Sequence, residues 1–421
     1  MSSIQEEVKP PAAGDNYIHG YTVLAKSMMG AGLLGIACAC SNLGWVLGIS
    51  FGIFIPIIST ITLSLLARVM VANPLPSKPT TFYKLTRLTL GKTPSYLIET
   101  ALILKTFGAS IVYLQVAGDM ISLIIVGSRT PASSLVISQS NISRIVQLAL
   151  SAIFYPACLL KNISKTFIIN TIGICCLIFI VATSFIYFDS AGAATASPAV
   201  TSLWPYSIVS VLSKIPVYLF AYCCHQAVFP WIDDLKNPPN ISKADKMFTV
   251  ASITGFLIYA PVMILPFITF GSGVYDNFLR NLPPNDTVTK IAYICAAISV
   301  SISFPLQVVP LRNSIMGLLA ERDAKVTGEG EKFFRILIAT IAVLASLSIA
   351  VSGAPLGVMM SITGLVGGNT IVFLAPSWMY WKTMKTRKSA LWYCAIGILG
   401  FSIALYPLCL VGIIMSATGY S

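Results

Sequence analysis

The sequence predicts an all-helical polytopic membrane protein with eleven transmembrane helices, on three observations. Hydrophobic residues make up 56% of the 421 and charged residues only 10%, against about 25% charged in a soluble domain. Apolar runs long enough to cross a bilayer, about 20 residues each, recur at 17–41, 45–70, 95–127, 143–161, 166–188, 206–230, 246–270, 288–318, 333–352, 355–381 and 390–417. Most of the basic residues behind the net charge of +12 sit in the gaps between these runs or at their ends. That spacing sets membrane orientation and does not build a nucleic-acid surface.

Residues 1–15 are polar, include Pro10 and Pro11, and lack a basic n-region and a cleavage site. They are expected to form a disordered cytosolic tail before a membrane domain at 16–418, not a signal peptide. With the amino terminus inside, the inner segments hold 20 of the 27 Lys and Arg residues, and the outer loops hold only Arg129, Arg144, Arg280 and Lys290. The carboxyl terminus then lies outside or in a lumen. Of the four glycosylation sequons, Asn141 and Asn285 fall outside, and Asn162 and Asn240 face the cytosol.

The first span is built to break. Lys26–Gly35 reads KSMMGAGLLG, and each glycine weakens a helix by about 1 kcal/mol relative to Ala. Irregular backbone at membrane depth is tolerated where it lines a cavity or is buried in protein. Past Gly30, the amides of Ala31, Gly32 and Leu33 would face an anion at the positive end of a half-helix. Two glycines also let a neighbouring helix approach closely, and the stretch alone leaves both readings open.

Folds built from inverted repeats place a second interrupted helix five spans after the first. In the sixth span Pro216 and Pro230 bracket a stretch with His225 inside. An intramembrane histidine is a candidate for gating or proton-linked work, against the plainer role of a structural donor. Lys26, Glu99, Lys105, Asp119 and Lys214 are the other ionisable residues within spans. Glu99 and Lys105 are too far apart on one helix to pair, so their partners lie on other helices or at the interface. Lys214 and Asp119, near span ends, have the option of snorkelling. The ten cysteines all fall in apolar runs, which argues for packing residues rather than a disulfide framework or a zinc site.

Four stretches together resemble the amino acid and auxin permease family, which includes the sodium-coupled neutral and the vacuolar amino acid transporters. They are GAGLLG at Gly30–Gly35 with Trp45 after it, PACLLKNISK at Pro156–Lys165, FAYCCHQAVFPWIDDLKNP at Phe220–Pro238, and FPLQVVPLRNS at Phe304–Ser314. The resemblance implies the fold of the bacterial leucine transporter: a first repeat at 17–188, an inverted second repeat at 206–381, broken helices one and six, and an eleventh helix at 390–417. One position departs from the pattern. Sodium-coupled relatives have an asparagine four residues before the first glycine that helps bind the cation, and this chain has Lys26 there. A lysine ammonium can take the space and charge of a sodium ion; the other option is a side chain that snorkels or pairs with an acid on another helix.

The expectation is a secondary active transporter, a symporter or exchanger, for small neutral L-amino acids, working by alternating access and coupled to protons rather than sodium. A sensor on the same fold is the alternative, disfavoured by the short tail. No serine, histidine and acid combination, HExxH motif or pair of catalytic aspartates suggests an enzyme. The substrate carboxylate is expected on Gly30, Ala31, Gly32 and Leu33 with help from Tyr113, and its ammonium at carbonyls of Tyr222, Cys223 and Cys224. Lys26, Ser299, Ser301 and Ser303 would form the cation or proton site. Ser361, Thr363 and Gly364 would line or gate the cavity, small-residue packing being the plainer role. No cofactor beyond a coupling ion is expected. The partners are the amino acid and the lipid bilayer, with no nucleic acid, and the working unit is a monomer in a plasma, vacuolar or lysosomal membrane.

Overall fold

The computed structural model describes residues 16–74, 81–127, 138–160, 167–188, 202–205, 207–235, 239–321, 326, 328, 330–386 and 388–419. The tail at 1–15, the sequon at Asn162, the end of the PACLLKNISK stretch, Lys236–Pro238 and most of the expected inner loop at 320–332 lie outside them. The described residues form helices and no strand. Eight of the helices are long and apolar enough to cross a membrane.

The first two apolar runs form α1 (Asn16–Met28) and α2 (Gly32–Ala72). The expected cut near 41–45 falls at Gly44, where φ of +74° and ψ of 174° interrupt the helical path of α2. Only glycine fits there. Its φ is left-handed, and a Cβ would lie 2.8 Å from the Trp204 carbonyl carbon. The amides just past the turn are taken up by the chain itself, Trp45 N–H by Ser202 O at 3.0 Å and Val46 N–H by Leu203 O at 3.1 Å. Trp45 then packs on Phe267, ring centroids 4.8 Å apart.

A short amphipathic helix, α3 (Phe82–Thr89), follows, with Thr81 accepting from the Lys84 N–H as its cap. Sequence reading left this segment between spans. It is pinned by Phe82, which meets Phe229 at 4.5 Å. The chain continues through α4 (Lys92–Gly127), α5 (Gln139–Cys158) and α6 (Phe167–Ile186). Ser138 caps α5 and starts it four residues before the expected 143, because an N-cap serine satisfies an amide that the hydropathy signal ignores.

The sixth apolar run becomes α7 (Ile208–Ala221), a tight turn at His225–Ala227, and α8 (Val228–Asp234). Beyond it lie α9 (Ile241–Phe270), α10 (Thr287–Ala320), α11 (Glu331–Val351), α12 (Leu356–Thr363), α13 (Ala375–Thr383) and α14 (Ala390–Ala417). Between α12 and α13 the helix widens into π-type turns at Gly364–Gly368 and Thr370–Leu374. Such bulges gather at functional sites. α4 packs along α10, α2 along α9 and α7, and α7 along α14. Phe54 and Ile57 on α2, Leu257 on α9, and Leu408 and Val411 on α14 stay exposed, as suits surfaces that face lipid.

Candidate functional site

Two interrupted segments meet at the centre of the molecule. α1 ends at Met28, and the chain turns through Met29, Gly30 and Ala31 before α2 begins. The turn is tight: Gly30 N–H donates to Met28 O at 2.9 Å and Leu33 N–H to Gly30 O at 3.1 Å. The Leu33 amide, expected to be free for a carboxylate, is therefore spent on its own chain. Among the described residues, no backbone acceptor is assigned to the amides of Ala31 and Gly32 at this turn. Helix N-termini leave such donors exposed to anions.

The two glycines do different work. A Cβ on Gly30 would stand 2.9 Å from the Tyr113 hydroxyl, so Tyr113 of α4 faces the first break. A Cβ on Gly32 would stand 2.6 Å from Ala221 Cα, so Gly32 is the notch through which α2 approaches the end of α7. The close-approach reading of the GAGLLG stretch holds at Gly32, and Gly30 faces Tyr113.

The second break runs from Tyr222 to Cys224, all three buried. Cys224 O accepts the Ala227 N–H at 2.8 Å, which takes one of the two lone pairs of that carbonyl. Tyr259 on α9 joins the breaks. Its hydroxyl lies 2.5 Å from Met28 O and 3.1 Å from Ala221 O, the carbonyl ends of α1 and α7. Nothing in the sequence marked Tyr259, because a tyrosine in an apolar run has the same pattern as a core aromatic.

Lys26 reaches toward α6 and α10. Its Nζ lies 2.7 Å from where a Cβ on Gly173 would sit, and Ser299 Oγ donates to Gly173 O at 3.5 Å. The ammonium is buried and has no hydrogen-bond partner among the described residues. Ser299 thus shares the Lys26 site. Ser303 instead donates to Ser299 O at 2.8 Å, within its own helix, and Ser301 is buried on another face of that helix.

His225 is wholly buried and held through Nε2 by the Thr62 hydroxyl at 2.9 Å, with Nδ1 unpartnered. Thr363 donates to Met359 O at 2.7 Å, and its side chain fills the space against Gly108. That is helix packing between α12 and α4. Ser361 is buried, and Gly364 lies against the Pro216 carbonyl. Lys105 Nζ reaches Gln307 Oε1 on α10 at 3.4 Å, and Glu99 is buried. Gln307, in the FPLQVVP stretch, was the polar residue that sequence reading passed over.

Lys214 does not snorkel. Its ammonium meets Asp276 Oδ1 at 2.8 Å. Asp119 likewise meets Arg280, at 3.7 Å. Asp276, in the connection between α9 and α10, also accepts from Cys38 Sγ at 3.3 Å and from Gly357 N–H at 3.0 Å. A Cβ on Gly357 would stand 2.4 Å from that carboxylate. One side chain thereby ties α2, α7 and α12 together. Desolvation works to raise the Asp276 carboxyl, but the Lys214 charge and the hydrogen bonds outweigh it and hold it below the ordinary carboxylate range.

Apolar helices stacked around two touching breaks in the helical path are the arrangement of membrane transport proteins built from inverted repeats. The particular family follows from comparison: the family described as transmembrane amino acid transporter protein matches residues 14–418. The chain belongs to it. It is 27% identical over 365 residues to vacuolar amino acid transporter 5 of Schizosaccharomyces pombe, covering 85% of this chain and 82% of that protein. It is 22% identical to vacuolar amino acid transporter 6 of Saccharomyces cerevisiae, covering 87% and 90%. It is 24% identical to sodium-coupled neutral amino acid transporter 7 of Mus musculus, covering 89% and 81%. These relatives are transporters, not enzymes. In fold, the chain matches MhsT, crystallised in complex with L-phenylalanine, at a TM-score of 0.62 and 15% identity, over 97% of this chain and 100% of that one.

Proposed function

We propose that the protein is a secondary active transporter of small, neutral L-amino acids that works by alternating access across a vacuolar, lysosomal or plasma membrane. The observation that carries this is the contact between the two breaks, Gly32 against Ala221, with Tyr259 stitched to the last carbonyls of both half-helices. A zwitterion is the ligand whose two charges match the two ends. Its carboxylate would rest on the Ala31 and Gly32 amides beside Tyr113, and its ammonium on carbonyls of Tyr222 and Cys223.

The same reading takes the chain across the membrane eleven times. Beyond the eight long helices, the turn at Gly44 makes two crossings of α1–α2, and α5 and α6 supply the others. The packing of α4 on α10 and of α2 on α9 pairs elements five crossings apart, as inverted repeats would. The amino terminus is cytosolic. The Asp276 tie then lies on the outer or lumenal face and holds that entrance shut.

Coupling is to protons, or is exchange, rather than to sodium. Lys26, Gly173 and Ser299 enclose a cation already covalently attached to the chain, which fills the space a sodium ion would need. Uptake of labelled amino acid into reconstituted vesicles under separately imposed gradients tests this. A proton gradient or internal substrate is expected to drive uptake, and sodium to leave it unchanged. A strict need for sodium refutes the coupling, and saturable binding without flux would favour the sensor.

A further inference from the structure

A cavity of about 740 Å³ opens between the last turns of α2 and the first turns of α9, lined by Arg68 of α2 and by Ser242, Asp245, Lys246, Thr249 and Val250 of α9. Along α9, Asp245 lies about 21 Å from Tyr259 and the two breaks. Arg68 grips Asp245 with both terminal nitrogens, Nη2 to Oδ2 at 2.9 Å and Nη1 to Oδ1 at 3.2 Å, and Ser64 Oγ donates to the same Oδ1 at 2.7 Å. The carboxylate is thus committed. A guanidinium carries five N–H donors, and the pair with Asp245 does not use them all. Lys246 is exposed and makes no ion pair among the described residues. The lining therefore carries two cations against one anion.

A neighbouring lysine is placed differently. Lys243 is also exposed at the start of α9, but its ammonium lies over the Tyr17 ring of α1, 6.0 Å from the centroid, and it does not line the cavity. Further along α9 the exposed face turns apolar. Ser242, Lys246, Thr249, Ile253 and Leu257 are exposed and follow one another at three or four residues, so they share a face. α2 runs alongside in the opposite direction, with Arg68 beside Asp245 and Gly52 beside Met263. That register brings exposed Ile57 level with Leu257. A cationic mouth continuous with an apolar strip has the outline of one phospholipid, headgroup at one end and chain at the other.

We propose that this cavity holds an anionic phospholipid, its phosphate between Lys246 and Arg68 and an acyl chain against Val250, Ile253 and Leu257. Charge complementarity selects the headgroup: an anionic one offsets the surplus cation, and a zwitterionic one brings no net charge to do so. The apolar strip selects a lipid over free phosphate, which has nothing to lay along it. A cytosolic amino terminus puts the cavity in the cytosolic leaflet, where anionic lipids are concentrated. The binding itself depends neither on that orientation nor on what the breaks carry.

The test uses the full-length protein in mixed micelles with equal amounts of phosphatidylserine and phosphatidylcholine, and native mass spectrometry counts the lipids that stay bound. Phosphatidylserine adducts should outnumber phosphatidylcholine adducts by at least about fivefold, the discrimination one cation gives near an anionic headgroup. Lys246→Gln should bring the ratio close to parity, Lys246→Arg should keep it, and Lys243→Gln should leave it unchanged. Thr249→Glu puts a negative charge in the same cavity, should give the same loss, and serves if Lys246→Gln does not accumulate. Glycerophosphoserine, the headgroup without its chains, should not displace the lipid at equal concentration. Parity between the two lipids in the parent protein overturns the proposal, as does a ratio unchanged in both Lys246→Gln and Thr249→Glu. A loss in Lys243→Gln as large as in Lys246→Gln would show diffuse attraction to a basic surface, and displacement by glycerophosphoserine would show a site for free anions. Either result overturns it too.

Discussion

The ammonium of Lys26 lies against Gly173 and Ser299 without a hydrogen-bond partner among the described residues, and the coupling account turns on that side chain. If it sheds its proton during each cycle, Lys26→Arg should abolish proton-driven uptake, because guanidinium stays charged. Lys26→Asn should remove proton dependence and admit sodium. Uptake by Lys26→Arg that matches the parent across about pH 5 to 8 would rule out proton carriage and leave a fixed internal cation. The sequence showed Lys26 because a lysine at membrane depth stands out against any apolar background. It could not show Tyr259 or Gly173, since neither residue type is unusual in a membrane helix. It also could not divide the labour between Gly30 and Gly32, which depends on which neighbour each one faces. Gly30→Ala adds one methyl group 2.9 Å from the Tyr113 hydroxyl and leaves the α2–α7 notch alone. We expect substrate uptake to fall by about 100-fold at normal expression. Gly32→Val is the weaker test, because its side chain strikes Ala221 and disturbs packing whatever the site does.

Among the elements, the connection between α9 and α10 brings Asp276 to Lys214 of α7, Cys38 of α2 and Gly357 of α12. On the proposed reading this tie closes the outer entrance, and Asp276→Asn loosens it by removing the charge. Cys38, buried in the parent, should then react faster, by about tenfold, with a membrane-impermeant thiol reagent added from the outer side. An unchanged Cys38 rate would show that the tie does not govern access. The depressed carboxyl of Asp276 also fixes the sign of its pH response. Its stabilising contribution is complete above the unfolded carboxylate value of about 3.9 and fades only as pH falls below that. Any pH dependence of transport near neutrality must therefore arise elsewhere. At this scale the sequence located most apolar runs within a few residues, since length and hydropathy are local properties. It missed α3, which is short and half polar, and it left snorkelling open for Lys214 and Asp119 because their partners lie 62 and 161 residues away.

Across the whole molecule, the bias of 20 basic residues against 4 predicts which loops are translocated, and this part of the account is legible only in sequence. Asn285 is exposed just before α10 and should carry a glycan in a host that glycosylates. Asn141 sits in the first turn of α5, where its side chain contacts Arg144 at 3.2 Å, and should stay bare. A glycan on Asn240 would reverse the orientation. The whole-chain family match and the fold shared with MhsT agree with the all-helical membrane fold that hydropathy already implied, whereas the candidate site needed three dimensions because its parts come from α1, α2, α4, α7, α9 and α10. The central claim is that an amino acid binds at the two breaks and is carried across the membrane from there. Counterflow tests it most directly: sealed vesicles loaded with an excess of unlabelled L-amino acid are given a trace of the labelled one. The account predicts a transient accumulation of label that the D-isomer does not compete away and that Gly30→Ala abolishes. Saturable binding of the label with no counterflow, or counterflow undiminished in Gly30→Ala, would contradict it.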